Sequence, residues 1–246
     1  MGRFSKHLAA LRALCHTKDV QSDLVGVIGL GVMGAGIVEV FARADCRVIA
    51  IAESDEAIAL GKKNFGASLT RALDRGKLSE PQAQHIQQLV TWTSEMQAIA
   101  DCALVVEAAP ERLDVKREIF QKIDAYSSSE AILATNTSSL SVTEIAKWVA
   151  NPERVFGLHF FNPAPVQKLV ELVTTDFSSP ALVTAAEQWA QKIGKIAITI
   201  PDSPGFIVNR LLLAYLNSAV NLADSDDYQI SEIDAAIRSE AKFPMG

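Results

Sequence analysis

The chain has 246 residues, 49 % of them hydrophobic and 21 % charged, which suits a globular protein of one large domain or a large and a small one. A net charge of −6 argues against nucleic-acid binding, which needs a basic patch or stripe for the phosphates. Three cysteines are too few and too scattered for a disulfide framework or a zinc site, and no apolar stretch approaches the roughly 18 residues of a membrane span.

Residues 1–22 stand apart. Arg3, Lys6, His7, Arg12 and Lys18 precede the first acid, Asp19, while Phe4, Leu8, Leu11 and Cys15 fall at helical spacing. This suits either an amphipathic N-terminal helix or a transit peptide. The expected compartment is the cytoplasm, or the mitochondrial matrix if the segment is a transit peptide.

From residue 24 short apolar runs alternate with helical stretches. Val25–Ile28 is a buried-type run, followed by Ile37, Phe41 and Ala44 at helical spacing. Val48–Ala52 is a second run, then Ile58, Phe65, Leu69 and Leu73 mark a long amphipathic helix. Ser79 and Pro81 open another helix, to about Leu89. Ala103–Val106, Ile132–Thr135 and Val155–Phe160 are further runs, with helices over Val115–Tyr126 and Val142–Val149 between them. Leu169–Val173 and Ile196–Ile200 flank a helix at about Ala181–Ile193. Strands alternating with helices mean βαβ units, and continuous apolar runs suit strands covered on both faces.

The pattern changes at Pro201-Asp202-Ser203-Pro204-Gly205, a turn-rich segment. Beyond it only helices are expected, over Phe206–Leu222 and Ser231–Ser239. The expected organisation is an extension over 1–23, a dinucleotide-binding domain over 24–201 and a helical domain over 202–246. The last is too short to make an independent core.

Gly29-Leu30-Gly31-Val32-Met33-Gly34 is a G-x-G-x-x-G pattern. Alone it is a weak signal, but here it follows an apolar run and opens a helix. The first glycine makes the tight turn, the second lets the backbone approach a pyrophosphate, and the third lets helix and strand pack closely. The helix N-terminus offers free N–H groups to the phosphates. Glu53 follows the second run and is placed to hold ribose hydroxyls, and a carboxylate there would repel a 2′-phosphate. The cofactor expected is therefore NAD, on a Rossmann-type, doubly wound, mostly parallel α/β sheet followed by an all-helical segment.

Four segments then resemble the 3-hydroxyacyl-CoA dehydrogenase family over about residues 24–246. They are Val105–Glu111 with Val115-Lys116, Thr135–Leu140, Gly157–Pro165 and Asp202–Arg210. The resemblance implies that His159 is the catalytic histidine and Glu171 the acid paired with it. It implies that Ser138 and Asn209 lie near the reacting oxygen of an acyl-CoA substrate, and Asn162 near the nicotinamide. It implies that Glu111 and Lys116 lie near the cofactor, and that the protein forms homodimers. The family's helical domain runs on past a Pro-Met-Gly motif, which here is Pro244-Met245-Gly246, so the helical part is expected to be incomplete. Glu240-Ala241-Lys242-Phe243 stands where small, glycine-rich residues are usual in the family.

The chemistry also reads directly. Oxidising a secondary alcohol needs a base for the hydroxyl proton, and histidine titrates near working pH. His159 sits near the end of an apolar run, at the sheet edge where open α/β folds bind ligands. Glu171 is a carboxylate among apolar residues, which is costly unless paired. Each residue also has a plain structural reading: an edge histidine, a Glu171–Lys168 pair, a helix-capping Ser138, a solvent-facing Asn209. Lys62, Lys63 and Arg71 offer local positive charge for the anionic CoA end, or simply a solvated face. The leading expectation is an NAD-dependent 3-hydroxyacyl-CoA dehydrogenase. An NAD-binding module with little activity alone, and a dehydrogenase of free 3-hydroxy acids, remain as alternatives.

Overall fold

The computed structural model describes residues 23–225 and 228–243. The expectations for residues 1–22 and for the Pro-Met-Gly end fall outside these.

Eight strands form one sheet: β1 (Leu24–Ile28), β2 (Arg47–Ile51), β3 (Val90–Thr93), β4 (Leu104–Glu107), β5 (Ile132–Thr135), β6 (Val155–Phe160), β7 (Leu169–Thr174) and β8 (Ile196–Pro201). Their order is β3-β2-β1-β4-β5-β6-β7-β8. All neighbours are parallel except β6 and β7. The reversal of order between β1 and β4 is the switch point at which doubly wound sheets bind ligands. The β6–β7 exception has a simple cause. Only residues 161–168 separate the two strands, too few for a crossover helix, so the chain returns antiparallel.

The helices among the described residues are α1 (Val32–Arg43), α2 (Asp55–Asp74), α3 (Glu80–Gln88), α4 (Leu113–Tyr126), α5 (Val142–Ala146), α6 (Pro180–Lys192), α7 (Val208–Asp224) and α8 (Ile230–Ser239). Several start on the caps that the sequence supplies. Ser54, Ser141 and Ser179 accept from the N–H of Ala57, Glu144 and Leu182, as N-cap hydroxyls do. The Gln82 side chain accepts from the Ser79 N–H at the start of α3. By contrast α1 begins at Gly31 with no side-chain cap and no acid in its first turn.

The sheet is covered on both faces. One core holds Phe41, Phe65, Ile86 and Trp189 from α1, α2, α3 and α6, and the other holds Phe120, Ile123 and Ile145 from α4 and α5. Phe41 meets Phe160 and Trp189 edge to face, with centroids 6.5 and 6.2 Å apart, a favoured aromatic arrangement. This explains why the strands read as continuous apolar runs. In contrast, α7 and α8 contain no buried residue.

Two elements differ from expectation. β3 gives no signal in the sequence, where the helix before it is expected to end at about Leu89, because its four residues, three half buried and Thr91 exposed, carry no usable periodicity. The fifth helix is shorter than expected, stopping at Ala146 rather than Val149.

Candidate active site

The loop after β1 is built by its three glycines, each for a different reason. Gly29 has φ +91°, and a Cβ there would lie 2.7–2.8 Å from the backbone of Ala108 and Ala109. A Cβ on Gly34 would stand 1.7 Å from the Gly29 carbonyl oxygen. These two positions are closed to side chains by the fold itself. A Cβ on Gly31 would meet nothing within 4 Å, so the space before the middle glycine is open. Open space, uncapped N–H groups of α1 and the absence of a first-turn acid together fit a dinucleotide pyrophosphate. Val32 is exposed at the mouth and Met33 is half buried. Leu30 is buried, and Gly61 gives it room, since a Cβ at 61 would be 2.7 Å from the Leu30 Cβ. Leu30 can therefore offer a ligand only its main chain. Glu53 is exposed just beyond β2, on the same edge of the sheet.

Glu111 follows β4 and gathers the loop after β5. Its Oε1 accepts from the Thr137 hydroxyl at 2.6 Å, the Ser138 N–H at 2.9 Å, the Ser139 N–H at 3.1 Å and the Ser139 hydroxyl at 3.1 Å. Burial raises the Glu111 pKa, but these hydrogen bonds and the Lys116 charge outweigh it and leave the carboxyl below its ordinary value. Lys116 lies beneath, only 1 % exposed. Its ammonium donates to both oxygens of the buried Glu107, at 2.7 and 2.9 Å, and lies 3.4 Å from Glu111 Oε2. Any influence of Lys116 on a dinucleotide thus passes through Glu107 and Glu111. Glu107 also accepts from the Thr135 hydroxyl and the Ala109 N–H, both at 2.7 Å, so this buried carboxylate is well satisfied.

His159 and Glu171 are direct cross-strand partners in the β6–β7 ladder. His159 Nδ1 lies 2.7 Å from Glu171 Oε2. A carboxylate only accepts, so the proton sits on Nδ1 and donates to Glu171. Nε2 has no hydrogen-bond partner among the described residues. Glu171 is fully buried, and its Oε1 accepts from the Ile207 and Val208 N–H groups, both at 2.9 Å. Three donors offset the desolvation of this charge. The alternative pairing of Glu171 with Lys168 does not occur; His159 takes that place.

Asn209, in the first turn of α7, donates from Nδ2 to the Ser138 carbonyl oxygen at 3.3 Å. The structure thus joins Glu111, Ser138 and Asn209 by direct contacts and His159 to Glu171 by another, and the Ile207 and Val208 N–H groups on Glu171 place the second pair beside the segment that carries Asn209. Asn162 is exposed in the loop after β6. Neither Glu53 nor Asn162 touches this network.

Sequence reasoning passes over Asn136, Thr137, Ser139 and Glu107. Asn136 Oδ1 accepts from the Phe160 N–H at 2.9 Å and ties the β5 loop to β6. The signal is there as a polar run, Asn136–Ser139, placed directly after an apolar strand. No helix among the described residues is long and apolar enough to cross a membrane.

Comparison with known proteins agrees with this fold. Residues 24–203 match the family model for the 3-hydroxyacyl-CoA dehydrogenase NAD binding domain, and residues 205–246 match the model for the C-terminal domain of the same enzymes. The chain is 38 % identical over 224 residues to a 3-hydroxybutyryl-CoA dehydrogenase of Mycobacterium tuberculosis, covering 90 % of this chain and 78 % of that one. It is 37 % identical over 235 residues to the mitochondrial hydroxyacyl-coenzyme A dehydrogenase of Rattus norvegicus, covering 93 % and 75 %. The crystal structure of (S)-3-hydroxybutyryl-CoA dehydrogenase from Ralstonia eutropha superposes with a TM-score of 0.88 at 33 % identity, covering 91 % and 79 %. The chain belongs to the 3-hydroxyacyl-CoA dehydrogenase family, NAD-dependent oxidoreductases acting on 3-hydroxyacyl-CoA.

Proposed function

We propose that this chain interconverts 3-hydroxyacyl-CoA and 3-oxoacyl-CoA with His159 as the acid/base and Glu171 as its partner. The observation that carries the reading is the 2.7 Å His159–Glu171 hydrogen bond, which leaves Nε2 available at the ligand-binding edge of the sheet. In the oxidising direction His159 Nε2 takes the hydroxyl proton, and Glu171 stabilises the imidazolium that forms. Bound NAD supplies the hydride acceptor. Ser138 and Asn209 stand together to hydrogen-bond the substrate oxygen as its charge changes. In the reducing direction the same imidazolium returns the proton.

Residues 24–201 serve in this reading as the NAD-binding domain and 202–246 as part of a helical one. The Gly29–Gly34 loop, with Gly31, Val32 and Met33 foremost, would hold the pyrophosphate. Glu53 would hold the adenosine ribose, and Asn162 would lie near the nicotinamide. Glu111, which holds the loop after β5 through Thr137, Ser138 and Ser139, would border the cofactor. Lys62, Lys63 and Arg71 on α2 would supply local positive charge for an anionic CoA end. The buried free thiols of Cys46 and Cys102 suit a reducing compartment, the cytoplasm or the mitochondrial matrix.

The test is NADH oxidation with acetoacetyl-CoA and longer 3-oxoacyl-CoA homologues, comparing the wild-type chain with His159→Ala. The variant should lose ~10²–10⁴ of kcat, the usual value of a positioned acid/base. Equal rates would remove His159 from the mechanism.

A second reading rests on α7 and α8. On α7 Leu213, Leu216 and Val220 share one face and are 46–63 % exposed, and exposed apolar side chains grouped in this way mark a contact face. A second copy packed there is the homodimer that the family resemblance implies. On this reading the isolated chain binds NAD without turnover, and activity depends on what covers these helices. NAD titration beside the rate assay, with a solution mass, separates the two.

A further inference from the structure

Phe206 occupies an unusual place. Its backbone is left-handed, with φ 51°, a region that bulky L-residues avoid because Cβ crowds the following carbonyl. It immediately follows Gly205, also left-handed at φ 75°. Glycine at 206 would hold the turn with no steric cost, yet a large aromatic stands there. The turn has a clear outcome. The Phe206 N–H bonds the Ser203 carbonyl oxygen at 2.9 Å, and the next two N–H groups, of Ile207 and Val208, converge on Glu171 Oε1.

The ring has an outcome of its own. Phe206 is 2 % exposed, and its centroid lies 5.5 Å from that of the His159 imidazole. Phe161 meets the same imidazole at 4.6 Å. The imidazole therefore has two aromatic neighbours, Phe161 from the loop after β6 and Phe206 from the approach to α7. The Phe206 ring is buried beside the imidazole, and the His159–Glu171 hydrogen bond keeps its strength only where water is kept away.

We propose that Phe206 is a positioning residue for the proton-transfer unit. Its ring shields the His159–Glu171 hydrogen bond and fixes the imidazole plane, while its left-handed backbone delivers two N–H groups to Glu171. The ring touches neither substrate nor cofactor in this role; it acts through His159. A strained aromatic is kept because the two tasks meet at one residue. The proposal rests on the acid/base reading of His159.

The test separates ring from backbone in the full chain. Phe206→Gly keeps the turn, since glycine adopts positive φ freely, and removes only the ring. Phe206→Leu keeps an apolar cover. Phe206→Asn, a residue type that also tolerates the left-handed region, is the second ringless variant should the glycine variant fail to fold. Two readouts are taken on proteins with native circular dichroism. One is kcat against KM for NADH and acetoacetyl-CoA. The other is the low-field proton resonance of the His159 Nδ1–H, assigned by its loss in His159→Ala, which needs no turnover.

Phe206→Gly should lower kcat by ~10–100-fold, a part of the full acid/base contribution, with KM for NADH unchanged, and the resonance should broaden through exchange with water. Phe206→Leu should retain the resonance and most of kcat. A sharp resonance and wild-type kcat in the ringless variants would overturn the proposal. Undiminished turnover in His159→Ala would instead overturn the acid/base reading, and the resonance would still decide whether the ring shields the pair.

Discussion

Glu171 lies directly across the antiparallel ladder from His159, with Oε2 2.7 Å from Nδ1, and its other oxygen caps the approach to α7 through the Ile207 and Val208 N–H groups. One buried carboxylate therefore serves both the imidazole and the segment that carries Asn209. The two tasks come apart on substitution. In Glu171→Gln the amide oxygen still accepts from the two backbone N–H groups, but its NH₂ faces Nδ1. Nδ1 must then accept, the proton moves to Nε2, and the imidazole loses its basic nitrogen toward substrate. The expected result is a fall in kcat of ~10²–10⁴ with α7 and NAD affinity intact. Glu171→Ala should lose the α7 contact as well and melt at lower temperature. Rate assays and thermal melts on both variants check this; similar kcat for wild type and Glu171→Gln would refute the tautomer argument.

The glycines of the first loop make an opposed pair of predictions. Gly31→Ala adds a Cβ into open space, so the fold and its melting temperature should not change. The same methyl stands where a pyrophosphate must approach, and the Kd for NAD should rise at least about tenfold, the size of a lost close phosphate contact of ~1.4 kcal/mol. Gly34→Ala places its Cβ 1.7 Å from the Gly29 carbonyl oxygen, so helix and strand must separate and the protein should be destabilised even without ligand. Calorimetric NAD titration and thermal melts distinguish the two. Loss of stability in Gly31→Ala would mean that the middle glycine serves the fold rather than the ligand.

Much of this architecture is legible in the amino-acid sequence. The strands buried on both faces show themselves as apolar runs, and Glu171 stands out because a carboxylate inside Leu169–Val173 demands a partner. Its register opposite His159 is not legible there, because only the short 161–168 return makes the two strands antiparallel. β3 escapes because four residues, three half buried and one exposed, carry no period. Phe206 looks like one more apolar residue at a helix start; its left-handed backbone and its place on the imidazole arise from tertiary packing. Lys116 adds a contact that the sequence does not show. The family resemblance implies a place near the cofactor, and the structure commits the buried ammonium to Glu107, with Glu111 3.4 Å away.

That commitment has a measurable size. Lys116 and Glu107 are 1 % and 0 % exposed and bonded at 2.7 Å. Removing one member of such a pair leaves an uncompensated buried charge and costs roughly 3–5 kcal/mol. Lys116→Met should therefore lower the melting temperature by about 6–20 °C, at ~2–4 °C per kcal/mol for a chain of this size. Combining it with Glu107→Gln removes the orphaned charge while keeping an acceptor for the Ala109 N–H, so the double variant should regain part of the loss. Additive destabilisation in the double variant would show that the two groups are not coupled.

Glu111 makes the last prediction, and its sign follows from the carboxyl's lowered pKa. Burial alone would raise that pKa, but the Thr137 hydroxyl, the Ser138 N–H and the Lys116 charge stabilise the anion more strongly. A carboxyl whose folded pKa lies below its unfolded value of ~4.3 contributes stability that is fully present above that value. The contribution disappears as pH falls through the folded pKa. Wild type should thus lose melting temperature as pH falls below about 4.3, the unfolded value, more steeply than Glu111→Gln, which has no such charge to lose. The same acidification should free the Thr137–Ser139 loop, because a protonated Glu111 accepts its N–H groups more weakly. Ser138 is then less firmly held beside Asn209, so kcat in the same pH range should fall further in wild type than the melting curve alone accounts for. Parallel melting curves for the two proteins from pH 7 downward would show that the Glu111 charge does not hold this loop.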